Sequence, residues 1–112
     1  MIEFSVPLIP PSANHYVKHT RTGRHYVTSE AKAFKEAVAL CGRGRSMRAT
    51  AYSVAIAIFL GKGQKGDLDN FAKCCLDAIV DAGIIDTDAK VNSLALSKTR
   101  RVQDPHTEIR IW

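Results

Sequence analysis

The sequence predicts an α+β fold, a two-layer sandwich in which a small mixed sheet carries two helices on one face. Three observations support this. Two stretches repeat apolar residues at helical spacing, and four shorter stretches read as strands. The elements follow one another in the order β-α-β-α-β-β, which suits helices gathered on one side of a sheet. At 112 residues, 46% of them hydrophobic, the chain is expected to form one domain over residues 1–112 with a core of its own.

Taken in order, Ile2, Phe4 and Val6 alternate with Glu3 and Ser5, the pattern of a strand with one buried face; Pro7, Pro10 and Pro11 end it. Ser12 to Val27 is polar and aromatic with a turn at Thr22-Gly23, expected as a surface loop or small hairpin. Thr28 or Ser29 can cap a helix in which Ala31, Phe34, Ala37, Val38 and Cys41 share a face, with Glu30 near its positive end and Gly42 closing it. Tyr52 to Leu60 is apolar on both faces, as a central strand is. Val54, Ile56, Ile58 and Leu60 form its large side, and its small side is expected to lie under a helix. Gly61 to Gly66 is a basic loop. A second helix from Leu68 to Ala82 aligns Leu68, Phe71, Ala72, Cys75, Leu76 and Ile79, with Gly83 at its C′ position. Val91 to Lys98 and Thr107 to Trp112 complete the strands.

The three cysteines, Cys41 and the adjacent Cys74 and Cys75, form no framework of paired spacings and read as free thiols. The N-terminus has no secretory pattern, and no run approaches the roughly 18 apolar residues of a membrane span, so a soluble cytoplasmic protein is expected. A net charge of +5 points to an acidic partner such as a polyphosphate backbone. Basic residues crowd Lys18–His25, Arg43–Arg48 and Lys98–Arg101, whereas acidic ones concentrate between Asp67 and Asp88. A positive surface around one acidic pocket suits a protein that attracts phosphate and also holds a divalent cation.

Asp67 and Asp69 flank Leu68 where a loop enters a helix. Leu68 opens the buried stripe, so its neighbours project toward solvent, at a helix end that favours negative charge. Two close carboxylates repel unless a cation lies between them. An all-oxygen donor set selects Mg²⁺ or Mn²⁺ over zinc. A third carboxylate is required, and the chain, turning at Gly83, is expected to return Asp86 or Asp88 toward the helix start along a neighbouring strand. Lys73 lies one turn beyond Asp69 and can reach a phosphate. Alternatively, Asp69, Lys73 and Asp77 form a solvated ladder, and an Asp-x-Asp at a helix start serves as an N-cap.

Asp67-Leu68-Asp69-Asn70-x-x-Lys73, Leu76-Asp77-Ala78-Ile79, Ala82-Gly83 and Asp88-Ala89-x-Val91 together resemble the RusA family of Holliday junction resolvases. The early Pro10-Pro11-Ser12-x-Asn14-x-Tyr16 and the Ser29-Glu30 helix start resemble it too. The likeness implies an α+β homodimer that cuts four-way DNA by paired nicks with Mg²⁺, leaving 5′-phosphate and 3′-hydroxyl ends. It makes Asp67, Asp69 and Asp88 the metal carboxylates and Lys73 the catalytic lysine, with Asn70 as an orienting neighbour. The family often has adjacent acids where Thr87 here separates Asp86 from Asp88, which leaves Asp86 as an alternative third ligand.

Asn14, Tyr16, Lys18, Arg21, Arg24, Lys62 and Lys65 are the expected DNA contacts. His15 and His19 lack further ligands for zinc, and no Gly-Lys-Ser/Thr closes the Gly61–Gly66 loop, which argues against a nucleotide cofactor. Cys74 and Cys75, with no nearby histidine, read as core positions. Two other functions share the charge pattern: a DNA-binding protein without catalysis, and a phosphohydrolase acting on small esters.

Overall fold

Alternation in the first strand is realised as predicted. In β1 (Ile2–Val6) the buried Phe4 and Val6 lie on one face, and Glu3 and Ser5 are exposed on the other. The computed structural model describes residues 1–11, 17–19 and 25–112; for 17–19 and 25–27 it describes the backbone. There β2 (Val17–His19) and β3 (His25–Val27) pair antiparallel as a small hairpin.

Helix α1 (Ser29–Cys41) begins at Thr28, whose hydroxyl accepts a hydrogen bond from the Ala31 N–H at 3.3 Å. It buries Ala31, Phe34 and Val38. Gly42 closes the helix with a φ of −91°, so left-handed freedom is not its role. A Cβ there would come within 2.6 Å of Ile84 Cδ1, so the small residue permits close packing.

The large side chains of β4 (Tyr52–Phe59), Tyr52, Val54, Ile56 and Ile58, share the core with Phe34 and Val38 of α1 and with Phe71, Cys75 and Ile79 of α2 (Leu68–Asp81). Burying each such aliphatic or aromatic side chain contributes about 1.5–3 kcal/mol. The helices therefore cover the large side of β4, not its small side as the sequence suggested. Bulky helix stripes need Val and Ile to interdigitate with, so Ser53, Ala55 and Ala57 are left to the open face.

Gly83, at φ +75°, follows α2 in the left-handed conformation that ends helices. A single 3₁₀ turn (Asp88–Lys90) then leads into β5 (Val91–Thr99), and β6 (His106–Ile111) ends the described elements. The four-stranded sheet runs β1-β6-β4-β5. β6 is antiparallel to both β1 and β4, and β5 is parallel to β4, so the sheet is mixed as expected. Both helices pack on one face and touch each other, with Lys35 of α1 bonded to Asp81 of α2 at 2.8 Å. Among the described residues no helix is long and apolar enough to cross a membrane.

Candidate metal and DNA site

The acidic doublet sits where the loop after β4 becomes α2. Gln64 closes this loop on itself, accepting from the Gly61 N–H at 2.6 Å while its own N–H donates to the Gly61 carbonyl. Gly66, at φ +155°, allows the last step: a Cβ there would lie 2.1 Å from Phe71 Cζ, inside the ring that anchors the first turn of α2. Asp67 follows at the N-cap position. Its carbonyl accepts from Asn70 and Phe71, but its side chain makes no capping hydrogen bond. The capping role that an Asp at this position would ordinarily have is therefore not exercised. Asp67 and Asp69 are exposed, and neither carboxylate has a hydrogen bond or ion pair among the described residues.

Asp67 lines a cleft of about 260 Å³ together with Leu60, Gln64, Lys65, Gly66, Lys98 and Arg100. Lys98 reaches it from the far end of β5 and donates to the Gly66 carbonyl at 3.0 Å. Lys62 and Lys65 are exposed on the loop. Sequence reasoning placed Lys98 and Arg100 in a basic segment but not beside the doublet, because no local signal reports that β5 runs parallel to β4. Lys73 lies one turn into α2 with Nζ 3.5 Å from Asp77 Oδ2, the ladder arrangement. Asn70 is half-buried in the first turn.

Asp86 and Asp88 lie at the other end of α2. Asp86 is the centre of a clasp: Oδ1 accepts from the Tyr52 hydroxyl at 2.7 Å and from the Thr87 N–H at 3.0 Å, and Oδ2 pairs with Lys90 Nζ at 2.7 Å. Hydrogen bonds from Lys90 and Tyr52 bring its pKa down to about 2. Asp88, two residues on, is exposed in the 3₁₀ turn capped by Thr87, with no partner for its carboxylate among the described residues.

The expected return of Asp86 or Asp88 to the start of α2 does not occur within one chain. β5 begins beside Tyr52 and reaches the Gly66 end only at Lys98, seven residues or roughly 23 Å later. A parallel crossover must start at the end of the sheet opposite to where the preceding helix began. Accordingly, among the described residues no group of three or more His, Cys, Asp or Glu is placed to hold a metal ion.

Asn14, Tyr16, Arg21 and Arg24 lie outside the described residues, as do His15 and the side chains of Lys18 and His19. Burial drives the Cys74 thiol up to about 12 and Cys75 well above the usual range, which leaves both protonated and unreactive at neutral pH.

Comparison with known proteins gives one result. The family model described as Endodeoxyribonuclease RusA matches residues 7–112. The crossover junction endodeoxyribonuclease of Enterobacteria phage 82 is 33% identical over 85 residues, covering 73% of this chain and 70% of that protein. The protein of the same name from Escherichia coli strain K12 matches to the same extent. Another, from Escherichia coli O139:H28, is 28% identical over 108 residues, 89% of each chain.

Proposed function

The chain belongs to the RusA family of endodeoxyribonucleases, and from that premise we propose that it is a Mg²⁺-dependent nuclease that resolves four-way DNA junctions as a homodimer. Its setting would be recombination and repair in the cytoplasm. The observation that carries this reading is the Asp67–Asp69 doublet. Both carboxylates are exposed and unpartnered among the described residues, at the positive end of α2 beside a cleft walled by Lys65, Lys98 and Arg100.

The donor chemistry fits a hard divalent cation: two carboxylates of one chain that, among the described residues, are free of competing bonds and have no thiol or imidazole bonded to them. Mg²⁺, or Mn²⁺ in its place, would supply acidification of a water and offset charge on the phosphate. Asp67 and Asp69 would hold it, and Asn70 would orient one of them. Lys65, Lys98 and Arg100 would draw a DNA phosphate into the cleft. Lys73 would swing from Asp77 to that phosphate. Asp86 is occupied by its clasp, which favours Asp88 as the third ligand. Since one chain keeps Asp88 at the far end of α2, Asp88 of the partner subunit would complete each site. A two-fold dimer then presents two sites to two opposed strands of a junction, which has approximate two-fold symmetry itself.

The test is cleavage of an end-labelled synthetic four-way junction with Mg²⁺, with and without chelator, using mixed dimers. Chains carrying Asp67→Asn and chains carrying Asp88→Asn are each expected to be inactive alone. Unfolded together and refolded, they form mixed dimers in about half the cases, each with one intact site, so about a quarter of the parent's sites returns, as single nicks. No activity from the mixture refutes the shared site. Junction binding without nicking by the parent chain, under varied metal and pH, refutes the nuclease.

A further inference from the structure

The basic segment 43–48 has no part in the site described so far. It lies in the loop between α1 and β4, and its backbone is pinned at two points. The Arg45 N–H donates to the Gly42 carbonyl at 3.1 Å, and the Met47 N–H donates to the Ile84 carbonyl, just past α2, at 2.8 Å. Gly44 turns the chain at φ +78°, and a Cβ there would meet nothing within 4 Å. Arg43 and Arg45 therefore stand exposed on either side of a bare step of backbone.

Charge around this loop is unbalanced. Among the described residues Arg43, Arg45 and Arg48 form no ion pair. Acids near this end of the molecule are already paired: Glu3 with Arg110, Asp81 with Lys35 and Asp86 with Lys90. Asp88 alone of that set is open. A guanidinium has five N–H donors in a planar fork. Arg48 spends its two terminal nitrogens on the Met47, Gly83 and Ile84 carbonyls, which is a structural task at the end of α2. Arg45 gives one terminal nitrogen to the Glu3 carbonyl, and the Arg43 side chain makes no hydrogen bond among the described residues. The C-terminus of α1 favours one nearby cation, which Arg43 alone would supply. Two exposed forks exceed that need.

We propose that loop 42–48 is a second DNA-backbone contact, in which Arg43 and Arg45 hold phosphates of a duplex arm. A fork without an acid of its own matches phosphate oxygens, and anchoring Arg45 on β1 reduces the freedom it loses on binding. Within one chain the loop stands apart from the Asp67 cleft, since the 14 residues of α2 separate them by about 21 Å. Duplex DNA spans that distance in about six base pairs, beyond the reach of the cations that wall the cleft. The choice of DNA as partner rests on the nuclease reading; the free forks do not.

The test is binding of a fluorescently labelled four-way junction, followed by anisotropy in chelator over a range of salt. Arg43→Gln and Arg45→Gln are each expected to weaken binding about eightfold at about 0.1 M salt and to lower the slope of log affinity against log salt by about 0.9. Arg43→Lys and Arg45→Lys keep the charge and are expected to keep most of the slope. With Mg²⁺ and saturating protein, nicking by the Gln variants is expected at the parental rate, because affinity is lost and chemistry is not. Parental slopes in both Gln variants, or losses that lysine fails to restore, overturn the contact. Should Arg45→Gln fail to fold, Arg43→Gln decides, since its side chain supports nothing among the described residues. A parent chain that binds the junction but never nicks it refutes the nuclease, while the slopes still decide the loop.

Discussion

Replacing Gly66 with alanine probes whether the backbone before Asp67 is set by the ring of Phe71. The new methyl would stand 2.1 Å from Cζ and 2.7 Å from Cε2 of a side chain that is 2% exposed, so the ring cannot turn into solvent to avoid it. Overpacking of this kind costs about 1–3 kcal/mol. A non-glycine residue held at φ +155° adds strain of about 1–3 kcal/mol. We take about 3 kcal/mol in total, which at this chain length lowers Tm by about 12 °C. The shift falls on the residue before the acidic doublet, and misplacing a reactive group by an ångström can cost about 100-fold in rate. Thermal unfolding by circular dichroism reads the first effect and nicking of a labelled junction reads the second. The Phe71→Leu partner makes the assay specific: in the double variant part of the penalty is relieved, with a coupling of about 0.5–3 kcal/mol. Additive losses, or a Gly66→Ala chain that melts with its parent, would refute the steric argument.

Asp67→Asn and Asp69→Asn should each abolish cutting while junction affinity in a mobility-shift assay holds or rises, because a repulsive charge near DNA is removed; binding lost together with folding would assign the acids to the scaffold instead. Lys98→Met should weaken binding to all duplexes alike and lower the slope of log affinity against log salt by about 0.9, the share of one phosphate contact. Asp86 has its pKa lowered from 3.8 to about 2, so the stability it lends is complete above pH 4 and is lost as pH falls through about 2. Tyr52→Phe, which removes one of its two side-chain donors, should raise that pKa in a carbon-detected NMR titration; an unmoved value would mean that the Tyr52 hydroxyl has no part in lowering it.

Periodicity carried most of the fold. The strand Ile2–Val6, the Thr28 cap, the two helices and the Gly83 stop are local features, written in alternation, in a hydroxyl at one position and in a residue free to take positive φ. Strand direction is not local. Nothing between Val91 and Thr99 states that this segment runs parallel to β4, yet that one fact carries Lys98 to Asp67 and keeps Asp88 away from it. The facing of β4 was misjudged for a related reason, since small residues suit either a close helix or an open surface and only the packed layer decides. At the site, the doublet was legible because two acids around a buried leucine at a helix start leave few directions to point in. The capping alternative was equally legible, and it is the missing side-chain bond of Asp67 that separates the two.

The paired thiols of α2 have a practical consequence. Cys74 and Cys75 are sealed in the core, whereas Cys41 at the end of α1 is partly open to solvent. A thiol reagent added under native conditions should mark Cys41 promptly and reach the other two only when the layers separate, so their labelling rate times the opening of the whole molecule. The chain thus carries its own stopwatch for core opening, readable by mass spectrometry on the parent sequence and on any variant that keeps the three cysteines.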